Sequence, residues 1–263
     1  MLQLRLLQVW FLRKTLNLFQ YMADSRIVNL YIPCQMDMFQ SGTAYSAMSV
    51  LERLGDRCQY FEEQTCCGCR FYWEGEIVYA KDLAINVLDC YDEKLPFIVP
   101  DSNCAGFMKT QYKHLLKNAY TPTKLATFIQ NVHELCDYIV NVKHIENLNN
   151  YFGHKVFYFK SCAARNVYPA NDAPETLLRN TRGLELLMDD DIHGCCGANG
   201  RFSKVNPNAA EALMGEIISK IINMGAEYIT STDIRCLQHL DAYKVAHAVD
   251  IEIIHIADIL KGE

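Results

Sequence analysis

The chain is most informative first for what it lacks. No stretch of its 263 residues is both long and uncharged enough to cross a bilayer, so membrane contact is not expected. Basic charge is not in excess: 25 Lys and Arg stand against 31 Asp and Glu, a formal net charge of −6. A nucleic-acid-binding surface is normally basic, so no nucleic-acid partner is expected, and the acidic balance reads as ordinary solubility. No phosphate-binding glycine loop is present. Gly197-Ala198-Asn199-Gly200 lacks the lysine of one loop type and the third glycine of the other, so no ATP or nicotinamide site is visible. No convincing secretory signal opens the chain.

What is present in quantity is cysteine, twelve in all. In a small secreted domain these would imply disulfides. This chain is larger and half its residues are hydrophobic, so a reducing cytoplasm is expected, where clustered cysteines serve as metal ligands or redox groups. Residues 1–21 differ from the rest. They hold no acidic residue and three basic ones, Arg5, Arg13 and Lys14, among leucines and aromatics. They read either as a membrane-surface helix or, the favoured expectation, as an over-extended start with Met22 as the first residue.

The cysteines repeat. Cys66-Cys67-Gly68 and Cys195-Cys196-Gly197 each have one cysteine upstream and one downstream, giving the sets Cys34, Cys66, Cys67, Cys104 and Cys162, Cys195, Cys196, Cys236. Corresponding members are offset by 128, 129 and 132 residues. Two copies of one unit are therefore expected, over 22–150 and 151–263, with the polar, Asn-rich stretch 141–154 carrying the join. Four thiolates per copy is the ligand number of an iron–sulfur cluster. The glycine after each pair permits a positive φ and close backbone approach.

Secondary structure signals place these cysteines. Short β-branched and aromatic runs at 27–32, 58–61, 96–100, 155–160, 184–188, 227–230 and 251–256 read as strands. Helices are expected at 43–54, 76–90, 174–179 and 209–224, with two more in 105–140 broken near Thr121-Pro122. Alternation of strands and helices predicts an α/β fold, two pseudo-repeated units with mainly parallel sheets. Each cysteine position then falls just after a strand, at the carboxyl edge where such sheets bind ligands.

Other readings compete. A single buried cysteine is often a small core hydrophobe, and Cys58, Cys90 and Cys136 are read that way. Structural zinc usually takes ligands paired two to four residues apart, and no Cys-x-x-Cys lies downstream of either Cys-Cys-Gly. A dithiol–disulfide couple at either vicinal pair is a further alternative.

The order Cys, about 32 residues, Cys-Cys-Gly, then a downstream cysteine resembles the cysteine-rich (CCG) domain pattern. That domain occurs in the cysteine-rich subunit of heterodisulfide reductase and in the iron–sulfur subunits of glycolate oxidase and anaerobic glycerol-3-phosphate dehydrogenase. The latter two also carry ferredoxin-type cysteine runs, which this chain lacks. Two such domains and nothing else resemble the lactate utilisation protein A family. The matching phrases are Cys34-Gln35-Met36-Asp37-Met38-Phe39, Gln64-Thr65-Cys66-Cys67-Gly68 and Ile254-His255-Ile256-Ala257.

The resemblance implies iron–sulfur clusters, one or two per chain and of [4Fe–4S] type, held by the eight cysteines of the two sets. It implies an electron-transfer subunit of a cytoplasmic oxidoreductase complex oxidising L-lactate to pyruvate, with a ferredoxin-type iron–sulfur subunit and a third subunit as partners. One departure is specific. Where the family pattern has Cys-x-x-Cys, this chain has Asp101-x-x-Cys104 and Asp233-x-x-Cys236. Each aspartate could be an oxygen ligand or a helix N-cap. Cys69 could add a fifth sulfur in the first copy alone. His193 and His239 are weaker candidates for handling a proton, and Arg165 and Arg201 for attracting an acid substrate. A heterodisulfide-reductase-like thiol enzyme and a non-catalytic zinc module remain the alternative functions.

Overall fold

The computed structural model describes residues 26–168, 170, 172–189, 192, 195–198 and 202–262. The stretch 1–21, His193 and Arg201 lie outside them.

The first copy runs β1 (Arg26–Leu30), α1 (Cys34–Phe39), α2 (Ser41–Arg53), β2 (Asp56–Gln59), α3 (Cys69–Trp73), α4 (Ile77–Cys90), β3 (Phe97–Val99), α5 (Ser102–Leu115), α6 (Pro122–Asn131) and β4 (Val132–Glu134). A short α7 (Leu135–Asp137) continues into a π-helical turn, Tyr138–Val142. The second copy runs β5 (Lys155–Tyr158), α8 (Cys162–Asn166), α9 (Ala173–Arg179), β6 (Glu185–Leu187), α10 (Phe202–Val205), α11 (Pro207–Asn223), β7 (Tyr228–Ser231), α12 (Ile234–His247), β8 (Glu252–His255) and α13 (Ile256–Lys261). Among the described residues no helix is long and apolar enough to cross a membrane.

Each copy forms a four-stranded, all-parallel sheet, in the orders β2-β1-β3-β4 and β6-β5-β7-β8. The expected α/β class and duplication are what the chain adopts. Alternate residues of a strand face opposite sides of the sheet, and burial follows that rule. Val28, Leu30, Ile98, Val156 and Tyr158 enter a central core shared by the two copies. Tyr31, Phe97 and Val99 enter an outer core of the first copy. Phe157, Phe159 and Ile229 enter an outer core of the second.

The copies also exchange their closing helices. The second copy's α13 packs on the first copy's α2. There Arg53 donates to the Leu260 and Lys261 carbonyls at 2.6 and 2.8 Å, and Thr43 Oγ1 donates to Asp258 Oδ2 at 2.8 Å. In the reverse direction, α7 and the π turn of the first copy pack on α9 of the second.

The region 105–140, expected to hold only helices, also contains strand β4. Helix α12, which contains Cys236, and the short helices α1, α3 and α8 are additions to the expected elements. All four follow or contain a cysteine of the repeat.

Candidate functional site

In a sheet of order 2-1-3-4 the strand order reverses between the first and third strands, and the crevice beyond their carboxyl ends is the ligand site. The cysteine sets occupy that place twice. In the first copy Cys34 follows β1, Cys66-Cys67 follow β2 and Cys104 follows β3. In the second, Cys162 follows β5, Cys195-Cys196 follow β6 and Cys236 follows β7. Residues far apart in sequence thus meet at one sheet edge.

The contacts pair off in the same way in both copies. Cys34 Sγ lies 3.5 Å from Cys66 Sγ, and Cys67 Sγ lies 3.3 Å from Cys104 Sγ. Cys162 Sγ lies 3.9 Å from Cys195 Sγ, and Cys196 Sγ lies 2.8 Å from Cys236 Sγ. The inner pair of each set is buried. The outer pair reaches solvent in part, and Cys195 is exposed. All twelve cysteines are free thiols. The sulfurs meet two by two: among the described residues, no three Cys, His, Asp or Glu side chains converge as ligands of a single ion do.

The loop bearing each vicinal pair is held by backbone conformation, and in the first copy by tyrosine as well. Gly68 has φ +85° and Gly197 φ +75°, the left-handed region open to glycine. Their N–H groups point back to Cys66 Sγ and Cys195 Sγ at 3.5 and 3.4 Å. In the first copy Tyr31 donates to the Thr65 carbonyl at 2.8 Å, Tyr112 to the Cys67 carbonyl at 2.9 Å, and Gln64 Nε2 to the Ile32 carbonyl at 2.7 Å. Both tyrosines are fully buried. Sequence reasoning did not single them out, since a buried tyrosine reads as core.

Asp101 and Asp233 sit at the N-termini of α5 and α12. Asp101 Oδ1 accepts the Cys104 N–H at 2.6 Å, and its Oδ2 accepts the Ile234 N–H of the other copy at 3.0 Å. Asp233 Oδ1 accepts the N–H groups of Arg235 and Cys236 at 3.1 and 3.3 Å. Ser102 N–H also donates to the Thr232 carbonyl at 2.9 Å. The two cysteine-bearing turns are therefore hydrogen-bonded to each other.

The buried Asp101 and Asp233 carboxylates and the Arg235 guanidinium stand near these sulfurs, and contacts between thiols together with burial shift the ionisation of several of them. The Cys104 thiol against it and burial push Cys67 well up, and the Cys195 and Cys236 contacts do the same to Cys196. One sulfur per copy goes the other way. Cys195 is held low by the thiols of Cys162 and Cys196, helped by the Gly197 N–H and Arg165. Cys69 is held low by the Cys67 thiol and by the positive charge of Arg235. A site of several buried thiolates would need cationic charge to balance it, and a donor set of sulfur alone suits soft metals and iron–sulfur clusters. The donor set fits such a group.

A model of the cysteine-rich domain matches the chain twice, over residues 28–109 and 156–241. The chain belongs to the CCG cysteine-rich domain family. Among its relatives is the protein named Lactate utilization protein A from Bacillus licheniformis, 31% identical over 236 residues, covering 89% of this chain and 99% of that one. The proteins of the same name from Anoxybacillus flavithermus and Geobacillus are 29% and 27% identical over 89% of the chain. The CCG copies thus correspond to the two cysteine-bearing sheets.

The remaining sequence candidates fall in different places. Cys69 is buried at the start of α3, 3.7 Å from Asn103 Oδ1. Cys58 and Cys136 belong with the central core and Cys90 packs on the outer core of the first copy. Arg165 lines a cavity with Lys160, Glu175 and Arg179 beside the second set. His239 lines a different cavity, between the copies, with Arg70, Lys204 and Arg235. These three cations were not singled out from sequence, although Arg70 and Arg235 are immediate neighbours of Cys69 and Cys236.

Proposed function

We propose that the chain is an iron–sulfur electron-transfer subunit of an oxidoreductase complex that oxidises L-lactate to pyruvate. The observation that carries the reading is the twofold recurrence of four cysteines at the switch point of a parallel sheet, in a chain whose relatives are named for lactate utilisation. Cys34, Cys66, Cys67 and Cys104 would hold one cluster, and Cys162, Cys195, Cys196 and Cys236 the other, each of [4Fe–4S] type. When bound, such a group takes up and passes on electrons.

The chain's own residues then have distinct tasks. The buried inner sulfurs anchor the group, while the outer sulfurs leave one edge near solvent, where a partner can approach. Gly68 and Gly197 let the backbone turn around it. Asp101 and Asp233 serve as caps that fix α5 and α12 and lock the two cysteine-bearing turns together. The partners are a ferredoxin-type iron–sulfur subunit and a third subunit, and the complex works in the cytoplasm.

The test is metal and sulfide content with a visible spectrum on protein purified without oxygen. About four or about eight irons per chain are expected, with brown colour. Cys67→Ser and Cys196→Ser should each remove about one cluster's worth. Colourless, zinc-loaded protein would overturn the reading. Turnover of a disulfide substrate by iron-loaded protein would move it to the heterodisulfide-reductase class.

A further inference from the structure

Helices α3 and α4 depart from the rule that a surface helix turns its apolar residues to the core. Ile77, Val78 and Tyr79 are three consecutive exposed apolar residues at the start of α4, with Val78 71% and Tyr79 63% exposed. Phe71 and Trp73 of α3 are exposed beside them, and the Phe71 and Tyr79 ring centroids lie 6.2 Å apart. The core side of α4 is already filled by Ala80, Ala84, Val87 and Leu88. An exposed apolar run of this length is a liability on a free surface unless it has a use.

The second copy extends the patch. Glu74, in the turn between α3 and α4, pairs with Arg70 at 3.1 Å and with Lys204 of α10 at 3.2 Å. That bridge ties α10 to α3 and brings its exposed Phe202 and Val205 to the same surface. A whole aromatic side chain carries ~150–250 Å², so the four exposed rings leave roughly 300–500 Å² in water. Ile77, Val78 and Val205 bring the apolar total to roughly 400–700 Å². With its polar rim, the patch meets the ~800 Å² that each side gives a stable interface.

Charge decides the occupant. On these helices and the turn between them, Arg70, Lys81 and Lys204 are balanced by Glu74, Glu76 and Asp82, in a chain of net charge −6. A lipid surface is bound through an excess of Lys and Arg, and a partner steered by charge needs one sign in excess. The patch offers neither. A neutral patch is instead where two molecules of an acidic chain repel each other least, and its mixed signs can face their own rotated image, as a twofold interface requires.

We infer that this patch is the interface of a homodimer, the α3–α4–α10 face of one molecule against the same face of a second about a twofold axis. Trp73 and Tyr79 are its aromatic anchors. Helix α3 begins at Cys69 and α4 backs Gly68, so the interface lies beside the first cysteine loop of each molecule. It needs no metal at the cysteines and does not rest on the electron-transfer reading.

The experiment is sedimentation equilibrium on the full chain across the micromolar range, with protein purified without oxygen and kept under reductant so that no intermolecular disulfide forms. Twice the chain mass is expected at the upper end. Val78→Glu places a carboxylate in the first turn of α4, where a helix favours negative charge, so the fold is kept while the dimer should weaken at least tenfold. Val205→Glu, on α10, should weaken it similarly and covers the case in which the first variant does not fold. Val245→Glu, an equally exposed valine near the end of α12, should leave association unchanged. A monomer throughout the range would overturn the inference. So would a dimer that neither patch substitution weakens, or one that Val245→Glu weakens as much.

Discussion

Replacing Gly68 by alanine tests how the first site is built. Two terms add. Gly68 sits at φ +85°, and an L-residue in the left-handed region loses about 1–2 kcal/mol. The new Cβ would also stand 2.7 Å from the Ala80 carbonyl oxygen and 3.1 Å from Ala80 Cα. Ala80 is a fully buried residue of α4, so the obstacle is backbone inside a packed helix and cannot swing away. Forced contacts of this kind lose about 1–3 kcal/mol more. The expected destabilisation is about 2–5 kcal/mol, a large part of the ~5–15 kcal/mol that holds a typical domain together. Gly197 is the internal control. Its φ is +75°, so the conformational term is the same, but its Cβ would meet the Phe202 Cδ1 atom at 3.2 Å and the Ala210 Cβ at 3.4 Å. Phe202 is a partly exposed side chain that can rotate aside. Gly197→Ala should therefore lose only about 1–2 kcal/mol. Urea unfolding of the metal-free, reduced variants, followed by circular dichroism, gives the comparison. A Gly68→Ala variant as stable as the parent, or less damaged than Gly197→Ala, would refute the argument that backbone crowding makes the first glycine obligatory.

Three further outcomes are expected. Glu134 is fully buried, and burial pushes its carboxyl up to about 8, against about 4.3 in the unfolded chain. Its stability contribution is whole below that lower value and is lost as pH rises to about 8, by up to ~5 kcal/mol at 1.36 kcal/mol per unit. Glu134→Gln should flatten the stability–pH profile across that window, and an unchanged profile would contradict the burial. Lys143 Nζ holds the buried Asp56 carboxylate at 2.8 Å, so Lys143→Met should lose about 3–5 kcal/mol, with much of it restored by adding Asp56→Asn. The raised thiols of Cys67 and Cys196 must lose protons to bind metal, so reconstitution should release protons and weaken below neutrality; pH-independent uptake would count against them as ligands.

The sheet and the cysteine edge were legible because both rest on local signals. Apolar runs such as 155–158 end in a cysteine at or near a capping residue, and the doubled Cys-Cys-Gly fixed the repeat. What was hidden was either too short or too distant. Strand β4 is only Val132-His133-Glu134, three residues between helical patterns, and no periodicity can show in three residues. It pairs with β3 at Phe97–Val99, a partner more than thirty residues away. Helix α8 had a local sign in Ser161, whose Oγ accepts the Ala164 N–H at 3.1 Å. Arg70 on α3, Lys204 on α10 and Arg235 on α12 line one cavity only because the two copies pack together. Arg235 and Gln35 are 200 residues apart, and nothing in either neighbourhood points to the other.

The exchange of closing helices bears on whether the expected units, 22–150 and 151–263, are domains in the folding sense. On α13, Ile256, Ile259 and Leu260 are fully buried, and they share the central core with Val28, Leu51, Ile139 and Val156. Fully burying a side chain of this size gives about 1.5–3 kcal/mol, so these three residues alone account for about 5–9 kcal/mol. That is comparable to the whole stability of an ordinary domain. Most of it comes from contact with the other copy, and the reciprocal packing of α7 and the π turn on α9 adds a second such surface. Each half alone would leave a broad apolar face in water and should fail to unfold cooperatively. Expressed together as separate chains, the halves should recover a one-to-one complex, because every exchanged contact lies between them and none needs the covalent join. Cooperative unfolding of either half by itself would show that the central core is an interface between domains. Recovery only in the pair would show that the duplicated unit is complete only against its twin.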